Sequence, residues 1–183
     1  IVLMQLRSGA VGASTSKLAE AEAMADAGID DIMVVHPFYG HLKMEALKNL
    51  LERPALKLSV VVDMFEQAEA ISQVGDALRK PVSVLLKIDA GGRRFGCLPG
   101  EPAVVLARAI QELSGVHLVG ILAHESATGE RSAAGVDRMA FEVASVMVGT
   151  AKMLRRDGIF IEDVVLGASP TYRAVCKYAK EFP

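Results

Sequence analysis

Tryptophan is absent from this chain, and aromatic residues make up only 5% of it. A core rich instead in Ala, Val, Leu, Ile and Gly suits helices packed on parallel strands better than a β-sandwich. Cysteine is nearly absent too: Cys97 and Cys176 are far apart and form no CxxC. That argues against a disulfide framework or a zinc site, and it makes a reducing, cytoplasmic setting the default expectation. There is no HxxxH, HExxH or Cys/His cluster to hold a metal. A net charge of −2 gives no electrostatic case for nucleic acid or a membrane surface. No apolar run approaches the length of a membrane span, and no signal-like segment opens the chain.

What the chain does have is a 51% hydrophobic composition over 183 residues, enough for one domain with a substantial core. Apolar runs and helical spacing alternate along its length. After a helix at Ile1–Arg7, strands are predicted at Ala10–Ser14, Asp31–His36, Leu58–Asp63, Val82–Asp89, His117–His124 and Asp163–Leu166. The intervening helices are predicted at Lys17–Ala27, through Leu51, Gln67–Leu78, Ala103–Leu113 and Val136–Arg156, with a last one after Thr171. Thr15 or Ser16 is placed to cap the first of these. Strict alternation without hairpin signals means parallel strands joined by right-handed crossovers. An open doubly wound sheet and a closed (β/α)8 TIM-type barrel both meet that description.

Two observations favour the barrel. No GxGxxG follows the first strand, so dinucleotide binding lacks its fingerprint. Every strand ends on a polar residue or a glycine turn: Ser14, His36, Asp63, Asp89, His124 and Gly167–Ser169. A barrel gathers all such ends at one mouth, whereas an open sheet gathers only those at its switch point. Six units do not close an eight-stranded barrel. The start at Ile1, without a capping residue, leads to the expectation that a unit precedes it and another follows Pro183. On this reading, residues 1–183 are part of one barrel domain.

The segment Val84–Cys97 concentrates the chemistry. It runs from an apolar strand through Lys87 and Asp89 into Gly91-Gly92-Arg93-Arg94-Phe95-Gly96. Lys87 can be read as a Schiff-base amine or as a salt-bridged strut for Asp89 or the arginines. Arg94 suits an anionic oxygen on a cofactor or substrate. Gly167-Ala168-Ser169-Pro170-Thr171, between a strand and a helix, reads either as a phosphate cradle or as ordinary capping by Ser169 with Pro170 at the first helical position. His124 stands at a strand end, where a functional role competes with a hydrogen-bonded core role. His36 and Asp63 occupy comparable ends and can equally cap loops, while His41 and His117 read as structural.

Lys87-Ile-Asp-Ala-Gly-Gly-Arg-Arg94-Phe-Gly96 resembles the Lys-x-Asp-x-Gly-x-x-Arg-x-Gly segment of the alanine racemase-like pyridoxal-phosphate enzymes. Glu20–Ile32, Val60–Asp63 with Glu66–Glu69, and Pro99-Gly-Glu-Pro102 are similar to the D-threonine aldolase and D-serine dehydratase branch. The resemblance covers essentially the whole chain. It implies a β/α barrel with a smaller C-terminal β domain, usually dimeric, with pyridoxal phosphate in the barrel mouth and a small D-amino acid as substrate. By motif, Arg94 would hydrogen-bond the cofactor's phenolic oxygen, with Lys87 orienting it. His124 would lie against the pyridine ring, where the aldolase branch often has tyrosine. Gly167, Ala168, Ser169 and Thr171 would hold the phosphate. The family's Schiff-base lysine belongs to a strand ahead of Ile1, and the branch's divalent metal to the C-terminal domain. The expectation is therefore the central part of a D-amino-acid lyase, inactive alone and with no catalytic residue of its own assigned. A racemase or a non-catalytic pyridoxal-phosphate homeostasis protein is the alternative. The loops after His36 and His124 are expected to set substrate choice.

Overall fold

The computed structural model describes residues 1–124 and 132–178. Within them the chain alternates as α1 (Val2–Arg7), β1 (Ala13–Thr15), α2 (Leu18–Asp26), β2 (Asp31–Val34), α3 (His41–Leu51), β3 (Lys57–Val62), α4 (Phe65–Leu78), β4 (Val82–Lys87), α5 (Glu101–Gln111), β5 (Val116–Leu122), α6 (Ala133–Arg156), β6 (Asp163–Val165) and α7 (Tyr172–Tyr178). The strands form one sheet in the order β1-β2-β3-β4-β5-β6. The pairs β1–β2, β2–β3 and β5–β6 are parallel. A doubly wound sheet reverses its order at a switch point, whereas sequential parallel order is that of the TIM-type barrel. The six strands are part of that eight-stranded architecture.

Contacts divide the chain into two compact units, Ile1–Leu85 with Ile110–Leu118, and Leu86–Ala109 with Val119–Pro183. In the first, Ile32, Val34, Val60 and Val62 are fully buried, and α3 covers the core with Leu47, Leu50 and Leu51. The i, i+3, i+4 spacing of those leucines puts them on one helix face. α4 meets the turn before β5 with no room for a side chain on either partner. A Cβ on Gly75 would lie 1.9 Å from the Gly115 carbonyl oxygen. The Ser72 hydroxyl accepts from the Gly115 amide at 2.9 Å and fixes that approach.

In the second unit, α6 buries Ala140, Val143, Ala144, Met147, Ala151 and Leu154. Their three- and four-residue spacing is the helical period. Its first turn is capped by Ser132, whose hydroxyl accepts from the Gly135 amide at 3.1 Å. A bidentate pair between Arg108 and Asp157 ties α5 to the end of α6. Those hydrogen bonds from Arg108 hold the Asp157 carboxyl below its ordinary range. No helix among the described residues is long and apolar enough to cross a membrane.

Several predicted boundaries shift for local reasons. β1 begins at Ala13, not Ala10, because the Ala10 amide still donates to Gln5 at the end of α1. β2, β4 and β5 end at Val34, Lys87 and Leu122. His36, Asp89 and His124 thus lie just past the ladder, in the loops that follow. α2 has no side-chain cap from Thr15 or Ser16. Instead, the Glu20 carboxylate reaches back to accept from the Thr15 hydroxyl and the Ser16 amide, which lowers its pKa.

Candidate functional site

β4, β5 and β6 bring three strand ends to one edge of the second unit. The Ile88 amide donates to the Leu122 carbonyl at 2.8 Å, and the Ala123 amide donates to the Val165 carbonyl at 2.9 Å. In the β5–β6 register, Leu122 stands beside Val165. The loop carrying Arg94, then His124, then the Gly167 turn therefore leave the sheet side by side. They span two inter-strand spacings, about 10 Å. The register is locked from within, since a Cβ on Gly120 would lie 2.4 Å from the Asp163 carbonyl oxygen.

β4 is buried on both faces over nearly all its length, the pattern of a strand in a parallel sheet covered above and below. Lys87 closes it, only 4% exposed, and is not left unpartnered. Ile88 then pairs with Cys97 in an isolated parallel bridge. The Asp89 amide donates to the Cys97 carbonyl at 2.9 Å, and the Cys97 amide donates to the Lys87 carbonyl at 3.0 Å. A Cβ on Gly96 would sit 2.4 Å from the Asp89 nitrogen, and its φ of +116° is one that side chains rarely adopt, so only glycine fits. Within the loop, Asp89 Oδ1 accepts from the Gly91 amide at 3.0 Å and the Arg93 amide at 2.9 Å. Arg94 is exposed, with its guanidinium 5.3 Å from the centre of the Phe95 ring.

The turn after β6 is satisfied differently. The Ala168 amide donates to the Thr171 hydroxyl at 3.0 Å, and that hydroxyl contacts the Ala168 carbonyl at 3.2 Å. The same carbonyl accepts from the amides of Thr171 and Tyr172. Thr171 is fully buried, while Ser169 and Pro170 are exposed. α7 begins at Tyr172, so the turn precedes the helix and Ser169 is not its immediate cap. The Lys177 ammonium and the Tyr178 hydroxyl both donate to Asp137, pinning α7 to α6 and lowering the Asp137 pKa.

His124 is exposed beyond β5, and the segment that follows, residues 125–131, lies outside the described residues. His36 and Asp63 lie in the other unit. So does an apolar groove of about 390 Å³ lined in part by Leu3, Ala23, Met24 and Ala27. Its one carboxylate, Glu20, is engaged by Thr15 and Ser16. Among the described residues, no three His, Cys, Asp or Glu side chains come together as a metal cluster would. The residue whose role sequence reasoning missed is Asp89, which organises the loop. An aspartate two residues ahead of Gly91-Gly92 is an Asx-turn signature and was the available signal.

The chain is 31% identical over 170 residues to a D-threonine aldolase of Arthrobacter sp., a match covering 92% of this chain and 44% of that protein. It is 28% identical over 180 residues to the D-threo-3-hydroxyaspartate dehydratase of Delftia sp. (strain HT23), covering 97% and 47%. The crystal structure of the D-threonine aldolase from Filomicrobium marinum superposes with a TM-score of 0.90 at 29% identity, over 97% of this chain and 48% of that one. The chain thus spans less than half the length of these relatives. Residues 1–179 match the alanine racemase, N-terminal domain family, and the chain belongs to it.

Proposed function

We propose that this chain supplies the pyridoxal-phosphate-binding barrel of an enzyme that cleaves or dehydrates 3-hydroxy D-amino acids of the D-threonine and D-3-hydroxyaspartate type. The observation that carries this reading is the adjacency of the Arg94 loop, His124 and the Gly167–Thr171 turn at one strand edge, set by the hydrogen bonds of Ile88 and Ala123. The names of the relatives support the substrate class.

The donor set fits the cofactor. Arg94 offers a permanent cation able to hold the phenolic oxygen, and its exposure leaves it accessible to a ligand. His124, next along the edge, would lie against the ring. The Gly167–Thr171 turn would hold the phosphate through the exposed Ser169 hydroxyl as its accessible side-chain donor, while the Ala168 amide and the buried Thr171 hydroxyl, bonded to each other, shape the turn. When bound, pyridoxal phosphate supplies an electron sink for breaking a bond at or next to the substrate Cα. The role of this chain is to bind that group, to fix its orientation and to place a cation beside its oxygen. Lys87, buried at the end of β4, would support the wall.

The test is to titrate pyridoxal phosphate into the chain and to assay the parent polypeptide with D-threonine, D-threo-3-hydroxyaspartate and D-alanine. Aldehyde release marks aldol cleavage, ammonia release marks dehydration, and appearance of the L enantiomer marks racemisation. The expected result is saturable binding, with aldehyde or ammonia from the hydroxy amino acids. Racemisation alone, or binding without turnover of any substrate, would overturn the lyase assignment. Absence of binding would overturn the cofactor assignment as well.

A further inference from the structure

We infer that Asp89 is a positioning residue for Arg94, one that sets the pocket's affinity for an anionic oxygen without touching the ligand. This rests on the reading of Arg94 as the cofactor contact. Residues 89–97 form a loop closed at its base by the paired backbone hydrogen bonds of Asp89 with Cys97 and Cys97 with Lys87. That clamp fixes where the loop leaves and rejoins the strand edge. It does not fix the glycine-rich span between, which has many accessible backbone conformations.

The Asp89 carboxylate does. Its Oδ1 takes the amides of Gly91 and Arg93 together, at 3.0 and 2.9 Å, both charge-assisted bonds. Arg93 sits at φ +48°, a left-handed conformation unusual for a residue with a side chain. Holding its amide on a carboxylate offsets that strain. Arg94 follows directly and is bounded on its other side by Phe95 and Gly96. Gly96 is pressed so closely on Ile88 and Asp89 that no Cβ could be accommodated. The backbone of Arg94 is therefore determined from both sides, and its guanidinium is steadied over Phe95. A cation held in place before a ligand arrives binds more tightly than one that must be ordered on binding.

The experiment compares Asp89→Ala, Asp89→Asn, Arg94→Ala and the Asp89→Ala/Arg94→Ala double variant. Two readouts are used: the dissociation constant for pyridoxal phosphate, and hydrogen exchange of the Gly91 and Arg93 amides in ligand-free protein. Far-UV circular dichroism confirms that each variant is folded. Asp89→Ala is expected to weaken binding about ten-fold and to lose protection at both amides. Asp89→Asn keeps an Oδ1 acceptor, so protection and most of the affinity should return, to within about three-fold. The double variant should bind no more weakly than Arg94→Ala alone. If Asp89→Ala binds normally while Arg94→Ala is weak, or if the two losses add, the positioning role is overturned. If Arg94→Ala itself binds normally, the assignment of Arg94 falls and the positioning role with it. Exchange at Gly91 and Arg93 still reports separately whether Asp89 orders the loop.

Discussion

The loop after β4 and the turn after β6 look alike in sequence: each follows a strand, carries glycine and offers polar side chains. They differ in where their internal hydrogen bonds go. In the β4 loop, the Asp89 carboxylate takes up backbone amides and leaves the Arg94 guanidinium on the outside. In the β6 turn, the Ala168 amide and the Thr171 hydroxyl satisfy each other, so two groups a phosphate would use are already engaged. The lesson is that residue type alone does not make a binding site. A donor serves a ligand when the structure keeps it both held and accessible. The cation of the β4 loop meets that condition, and Ser169 meets half of it.

The sharpest way to break the contrast is at the clamp of the β4 loop. Gly96→Ala places a Cβ against the backbone of Ile88 and Asp89 at a φ that disfavours side chains. It should destabilise the chain by about 3 kcal/mol or more, read as a lowered denaturation midpoint. A near-neutral result would mean that the loop is not closed as described. Thr171→Val comes next. It removes a buried hydroxyl bonded to Ala168, for a loss of about 1–2 kcal/mol, with a smaller effect on pyridoxal-phosphate affinity. The reverse pattern, affinity abolished and stability kept, would show that the hydroxyl serves the ligand. Ser169→Ala should leave stability within about 0.5 kcal/mol, as an exposed substitution, and weaken binding a few-fold, about 0.5–1.5 kcal/mol.

The smallest effect expected is on pH dependence away from both loops. Hydrogen bonds from Arg108 depress the folded-state pKa of Asp157 below its ordinary 3.8. A depressed carboxylate contributes stability that is complete above the unfolded-state value and is lost as pH falls through the folded one. Asp157→Asn should therefore lower the melting temperature slightly in the neutral region, change it little at the acid end where the contribution is already lost, and so flatten the acid limb between them. An acid limb identical to that of the parent would remove this pair from the account.

Much of the architecture was legible in the chain because the strands carry dense apolar runs. Ile32 to Val34, Val60 to Val62 and Val84 to Ile88 could be little else, and the α6 stripe from Ala140 to Leu154 repeats at the helical period. The strand edges were less legible, since β propensity does not indicate where a residue leaves the ladder. Asp89 and His124 were expected inside strands and lie just beyond them. Arg94, His124 and the Gly167–Thr171 turn emerge as edge neighbours, as the strand-end pattern implied. What sequence could not supply was the partner of each polar atom. Lys87 and Asp89 read as a possible ion pair, yet two of the Asp89 contacts are with backbone amides. Ser169 and Thr171 were both expected to hold the phosphate, yet one is exposed and the other fully buried. Such differences depend on backbone torsions that residue type does not specify.

The central claim is that the β4 loop presents Arg94 as the cation of a pyridoxal-phosphate pocket. It is tested most directly by titrating pyridoxal phosphate into the parent chain and into Arg94→Ala side by side, following the absorbance of the cofactor. The account predicts saturable binding to the parent and a loss of about 10- to 100-fold in the variant, as expected for removing a charged hydrogen bond. Equal affinity in the two proteins, or no binding to either, would contradict it.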